Sequence, residues 1–136
     1  MKASDQIIDL VVQHYPDVQA IYLFGTYATS DERPDSDVDI ALLLPPEQAR
    51  EAGSLALSDL HLDLARALGR EVDLINLRLA PTVLRKEVIM ADRRIYCANA
   101  YAADEFEMLT ISYYQKLNEE RAEIIEDALA TGRFIG

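Results

Sequence analysis

Gly25-Thr26 and Asp37-Val38-Asp39 stand ten residues apart in the sequence, and each lies at the boundary of an apolar run. The run before the glycine, residues 21–24, is short, apolar and aromatic, which predicts a buried strand ending at Gly25. Residues 38–44 predict a second strand. Because side chains alternate along a strand, Asp37 and Asp39 are expected on one face and Val38 and the following apolar residues on the other.

Two carboxylates on one face of an apolar strand are unfavourable, because aspartate is a poor strand residue and neighbouring like charges oppose ionisation. Asp73 adds a third, within the apolar run Val72–Leu77. If that run pairs beside the second strand, Asp73 meets the face of Asp37 and Asp39. Such hard oxygen ligands favour Mg²⁺ completed by water and substrate phosphates. They do not favour zinc, since His14, His61 and Cys97 lack zinc-ligand spacing.

The sequence resembles the polymerase-β-type nucleotidyltransferase superfamily in one motif. That motif is a glycine and a hydroxyl residue, then ten intervening positions, then Asp-x-Asp, and later an aspartate on another strand. Within that superfamily, the chain is most similar to the minimal nucleotidyltransferases, the antitoxin halves of toxin–antitoxin pairs with HEPN-domain RNases. The resemblance implies an α/β (α+β) fold: a mixed sheet of three to four strands, flanking helices and a long C-terminal helix. Thr26 replaces the usual serine, keeping the hydroxyl and adding a methyl group.

The resemblance also implies the site. Asp37, Asp39 and Asp73 would be catalytic and hold two Mg²⁺ ions, and a two-metal site suits in-line nucleotidyl transfer. Gly25 and Thr26 would bind the phosphates of ATP, at a turn where residues 27–30 are predicted to open a short helix.

For function, the resemblance implies transfer of AMP from ATP to a tyrosine of a cognate HEPN RNase, which blocks that toxin. Two alternatives stay open. One is nucleotidyl transfer to a small hydroxyl compound, which would need an added domain or a dimer to complete the acceptor pocket. The other is an antitoxin that acts by binding alone.

The composition of the chain narrows the choice of partner. With 13 Lys and Arg against 24 Asp and Glu, the formal net charge is −11, which disfavours nucleic acid and favours a basic partner protein. The 136 residues predict a single domain over 1–136, with homo-oligomers left open. No apolar run is long enough to predict a membrane span. The lone Cys97 predicts no internal disulfide, a buried thiol and a reducing cytoplasm.

Further elements are predicted from periodicity and caps. Ser4 or Asp5 is expected to start a first helix that stops before Pro16, and residues 47–68 are predicted to be mostly helical with Gly69 as the C-cap. His61 is predicted on the surface of that helix. Pro81 is predicted to start another helix, and Arg94–Cys97 to form a short strand.

The C-terminal part predicts one long helix. Asp104 and Glu107 match a capping box, so Asp104 is predicted as the N-cap of a helix that runs to about Ala130. Phe106, Leu109 and Tyr113 begin a face expected to pack on the core, with contact to a partner as the alternative.

Overall fold

The computed structural model describes residues 3–25 and 37–131. These form five α-helices, four strands and a short 3₁₀ turn, with the following bounds: α1 Ala3–His14, β1 Ala20–Phe24, β2 Val38–Leu43, α2 Pro46–Ala52, α3 Asp59–Leu68, β3 Val72–Asn76, the 3₁₀ turn Leu77–Leu79, α4 Thr82–Met90, β4 Arg94–Cys97 and α5 Ala100–Thr131.

The four strands form one mixed sheet in the order β3-β2-β1-β4. β1 is antiparallel to both β2 and β4, whereas β2 and β3 run parallel. The end of β1 and the starts of β2 and β3 therefore meet at the same edge of the sheet. This topology and the 32-residue helix α5 confirm the predicted small mixed-sheet fold.

Helices cover both faces of the sheet. On one face, Val38, Ile40 and Leu42 of β2 pack into a core with residues of α1 and α3. On the other face, Ala41 and Leu43 pack with residues of α4 and α5. A strand buried on both faces needs an almost uninterrupted apolar sequence, which explains the run of residues 38–44. None of the described helices is apolar over the length that a bilayer crossing requires.

The helical segment predicted over 47–68 is two helices. α2 ends at Ala52, and its C-cap Gly53 has a positive φ of 60°. α3 begins after Ser58, whose hydroxyl accepts a hydrogen bond from the His61 N–H at 3.2 Å. The prediction that this segment is mostly helical is confirmed, but its treatment as one helix is wrong, because a glycine exit and a serine N-cap separate the two. The predicted C-cap Gly69 is confirmed, with φ 63° and ψ 30°.

The predicted cap of α5 is also wrong. The helix begins at Ala100, and Asn99 caps it by accepting a hydrogen bond from the Ala102 N–H at 3.0 Å. Asp104 lies inside the helix and binds Arg94 at 3.1 Å instead.

Three burial predictions need correction as well. Cys97 is exposed, because β4 is an outer strand that pairs with β1 only. His61 is half-buried, with Nε2 2.8 Å from the Val72 carbonyl oxygen. On α5, Phe106 is buried as predicted, but Leu109 and Tyr113 are 57% and 56% exposed.

Candidate active site

The three predicted carboxylates lie at the edge where β2 and β3 begin. Asp37 directly precedes β2, and Asp39 and Asp73 are the second residues of β2 and β3. In the parallel pairing of these strands, Asp39 is the register partner of Asp73. Register partners on neighbouring strands point to the same face about 5 Å apart. The structure thus brings Asp73 beside Asp39, as the strand pattern predicted.

The carboxylates act on one another electrostatically. Partial burial, then the charge of Asp73, then that of Asp37 raise the pKa of Asp39 to about 6. Asp37 and Asp73 are exposed, whereas Asp39 is half-buried. The ionised form of Asp39 is therefore less favourable in the folded protein than in water, and a nearby cation would stabilise it.

These carboxylates fit a magnesium ion whose coordination shell is completed by the substrate. Within residues 3–25 and 37–131, no three or more His, Cys, Asp or Glu side chains are close enough to hold a metal ion by themselves. Mg²⁺ commonly uses one or two carboxylates and completes its shell with water and substrate phosphate oxygens. Hard carboxylates at a solvent-facing edge match that requirement.

Gly25 forms the turn against this site. It follows β1 with φ 73°, and a Cβ added to it would lie 2.1 Å from Oδ2 of Asp39. Only glycine fits both the left-handed backbone and this close approach. Its backbone is thus held directly against the central carboxylate. Thr26, the predicted helix over 27–30 and the rest of the loop before Asp37 lie outside the described residues.

A cationic side chain that the sequence did not single out lies at the same turn. Nη1 of Arg93 donates to the Gly25 carbonyl oxygen at 3.3 Å, and the Arg93 carbonyl accepts from the Leu23 N–H at 2.9 Å. The preceding residue, Asp92, has a left-handed φ of 55°. The predicted strand Arg94–Cys97 could have revealed this contact. Pairing of that strand with β1 places Arg93, the residue before the strand, beside the end of β1.

Comparison with known proteins agrees with this geometry. Residues 5–101 match the model of the polymerase β nucleotidyltransferase family. The chain belongs to the polymerase β nucleotidyltransferase family. It is 39% identical over 128 residues to the protein adenylyltransferase MntA of Shewanella oneidensis, covering 93% of this chain and 88% of that protein.

Solved structures of similar proteins include toxin–antitoxin complexes. A crystal structure of a toxin–antitoxin complex with AMP-PNP contains a chain 36% identical to this nucleotidyltransferase, with a TM-score of 0.74 and coverage of 93% and 98% of the two chains. A complex of the tri-AMPylated Shewanella oneidensis HEPN toxin with its MNT antitoxin matches at 37% identity, with a TM-score of 0.67 and coverage of 93% and 96%.

Proposed function

We propose that this nucleotidyltransferase is an antitoxin that transfers AMP from ATP to a tyrosine hydroxyl of a HEPN RNase toxin. The observation that carries the proposal is the register of Asp39 beside Asp73 on parallel strands, with the Gly25 turn against Asp39. The protein adenylyltransferase MntA, 39% identical, and the complex with an AMPylated HEPN toxin support the choice of acceptor.

In this proposal each site residue has a separate role. Asp37 and Asp39 would hold two Mg²⁺ ions together with the phosphates of ATP, and Asp73 would share in holding one of them. Gly25 and Thr26 bind the β- and γ-phosphates through backbone N–H groups and the threonine hydroxyl. When bound, the ions supply stabilisation of the negative charge on the reacting phosphate and on the leaving group.

The transfer itself exchanges one P–O bond for another. The tyrosine oxygen forms a bond to the α-phosphorus, the bond from that phosphorus to the β-phosphate bridging oxygen breaks, and pyrophosphate leaves. A carboxylate oxygen of Asp73 receives the phenolic proton, since Asp73 is exposed at the sheet edge where an acceptor can approach.

A protein acceptor fits the charge of the chain better than a nucleic acid does. A net charge of −11 would repel a phosphate backbone, whereas a tyrosine on a folded protein carries no such penalty. We assign the reaction to the cytoplasm, where the exposed thiol of Cys97 would stay reduced.

The test is the intact mass of the cognate HEPN toxin after incubation with this protein, Mg²⁺ and each of the four nucleoside triphosphates in turn. We expect a gain of one or more AMP units with ATP, and none with the Asp39→Asn variant. Asp17→Asn, the same change at an exposed position before β1, should transfer AMP like the unchanged protein.

An unmodified toxin that is nevertheless inhibited in a stable complex would refute the transfer and favour neutralisation by binding. An unmodified and uninhibited toxin, with AMP transferred instead to a small hydroxyl compound, would favour the small-molecule enzyme.

A further inference from the structure

A wide groove lies at the end of the sheet opposite the carboxylates. It has a volume of about 860 Å³, and α2, the 3₁₀ turn, the start of α4 and α5 form its walls. The turn and α2 follow the ends of β3 and β2, whereas Asp39 and Asp73 lie near the starts of these strands. Leu44, directly after β2, is five positions beyond Asp39, which corresponds to about 17 Å of extended chain. The groove is therefore separate from the catalytic edge.

Three arginines line this groove: Arg50, Arg78 and Arg85. The guanidinium carbons of Arg78 and Arg85 each lie 5.5 Å from the centroid of the Phe106 ring. Two cations on one ring bring like charges together, at a site that is already partly desolvated.

The partners of these guanidinium groups are neutral. Arg78 donates from Nε to the Leu44 carbonyl and from Nη2 to Oε1 of Gln19 at 2.6 Å. Arg85 donates to the carbonyl of Arg78. Neither these two nor Arg50 forms an ion pair with a carboxylate of the described residues.

The electrostatics agree with an uncompensated positive cluster. Burial, and after it the charge of Arg85, lowers the pKa of Arg78 below its ordinary value, and the charge of Glu105 offsets only part of this. In a chain with a net charge of −11, such a cluster is a local exception. It will attract carboxylates or phosphates.

The rim of the groove is apolar and exposed. Leu79, Leu109 and Tyr113 line it and are 49%, 57% and 56% exposed. An occupant that fits must therefore present both negative charge and apolar side chains. A free phosphate or small anion would leave this rim uncovered, and a nucleic acid would be repelled by the rest of the acidic surface.

We propose that this groove docks the acceptor protein, through a segment that places carboxylates on Arg50, Arg78 and Arg85 and apolar side chains on Leu109 and Tyr113. The inference rests on the proposed function, since that function supplies the acceptor. Although the acidic chain as a whole favours a basic partner, the groove selects an acidic segment of it. Docking and chemistry then occupy opposite ends of the sheet, so that each can be disabled alone.

The test is the affinity for the cognate HEPN toxin, measured by titration calorimetry without nucleotide. Arg50→Glu reverses an exposed charge, so the fold should be kept, and we expect the Kd to rise at least about tenfold. Arg66→Glu is the matched control, because its side chain is 81% exposed on α3, outside the groove. Its Kd should stay within about twofold of the unchanged protein.

A second variant addresses the apolar rim. Tyr113→Asp should weaken binding as Arg50→Glu does. In AMP transfer, both variants should raise the KM for the toxin and leave kcat at saturating toxin unchanged. Replacing the toxin carboxylate that faces Arg50 by lysine should restore binding to Arg50→Glu and weaken binding to the unchanged protein.

The outcomes separate this inference from the proposed function. If Arg50→Glu and Tyr113→Asp bind the toxin as tightly as the unchanged protein, the docking groove is wrong even where AMP is transferred. If they alter only self-association in sedimentation, the occupant is a second copy of the chain and the inference fails. If AMP is never transferred but these variants lose toxin binding, the groove stands and the proposed function falls.

Discussion

Replacing Asp39 by asparagine should make the metal-free protein more stable while it abolishes activity. The structure gives the reason, because partial burial, and then the charges of Asp73 and Asp37, raise the pKa of Asp39 to about 6. An ionised Asp39 is therefore unfavourable in the folded protein. Asparagine keeps the shape of the side chain and removes the charge.

The size of the effect follows from the shift. The pKa rises from 3.8 to about 6, and each unit corresponds to about 1.4 kcal/mol, which gives an upper limit near 3 kcal/mol. Solvent screens a half-exposed carboxylate, so we expect about 1 kcal/mol. For a domain of this size that raises Tm by about 3–5 °C.

The direction of the pKa shift also determines how the stability gain of Asp39→Asn depends on pH. Because the folded pKa lies above the unfolded value, the favourable contribution of protonated Asp39 is fully present below pH 3.8 and is lost as the pH rises through about 6. The gain of Asp39→Asn should thus be full at about pH 7.5, shrink between about pH 6 and pH 4, and vanish below that range.

The assay is urea denaturation of both proteins across this pH range in the presence of a chelator. Asp17→Asn, at an exposed position, is the control and should change the free energy of unfolding by less than about 0.5 kcal/mol at every pH. An Asp39→Asn protein that is no more stable than the unchanged one near pH 7.5 would refute the idea that burial and the neighbouring carboxylates make ionised Asp39 unfavourable.

Three further substitutions test other contacts. Gly25→Ala should abolish AMP transfer and cost about 1–3 kcal/mol, because its Cβ would meet Asp39 at 2.1 Å; Gly69→Ala, with φ 63°, ψ 30° and open space around it, should cost about 1 kcal/mol and keep full activity in the same kinetic assay. Asn76→Ala should cost about 2–3 kcal/mol in urea denaturation, since its buried amide donates to two backbone carbonyls at 2.8 and 2.9 Å; a loss below about 0.5 kcal/mol would contradict this. Asn99→Ala should cost about 1 kcal/mol by removing the N-cap of α5, and an unchanged thermal midpoint would show that the cap is dispensable.

The carboxylate edge could be predicted from the sequence because its determinants are local. An alternation of period two placed Asp39 opposite the apolar side chains of β2, and the second apolar run placed Asp73 in the same way. Pairing of the two runs in register was the remaining step, and burial on both faces of the sheet favours it. The Gly25 turn could be predicted from the end of the first apolar run alone.

The other features depend on contacts between residues that are distant in sequence. Asp104 and Glu107 satisfy the local pattern of a capping box, but both carboxylates bind Arg94, at 3.1 and 2.7 Å. Asn99 then caps the helix. Nothing in the spacing of α5 shows that β4 supplies this arginine, and in the same way nothing local shows that Val72 accepts a hydrogen bond from His61.

The two ends of the sheet share one physical property that helps to explain both proposals. At one end, carboxylates lie together, and partial burial followed by the charges of Asp73 and Asp37 raises the pKa of Asp39. At the other end, Arg78 and Arg85 lie over one ring, and neither forms an ion pair with a carboxylate of the described residues. Like charges held together in this way destabilise a folded protein unless a ligand of opposite charge compensates them. Binding of such a ligand would relieve the repulsion, so both ends should gain stability on binding: the carboxylate edge with Mg²⁺ and ATP, and the groove with the acidic segment of its acceptor. If the two sites are independent, as a separation of about 17 Å along β2 implies, their gains in the free energy of unfolding should add.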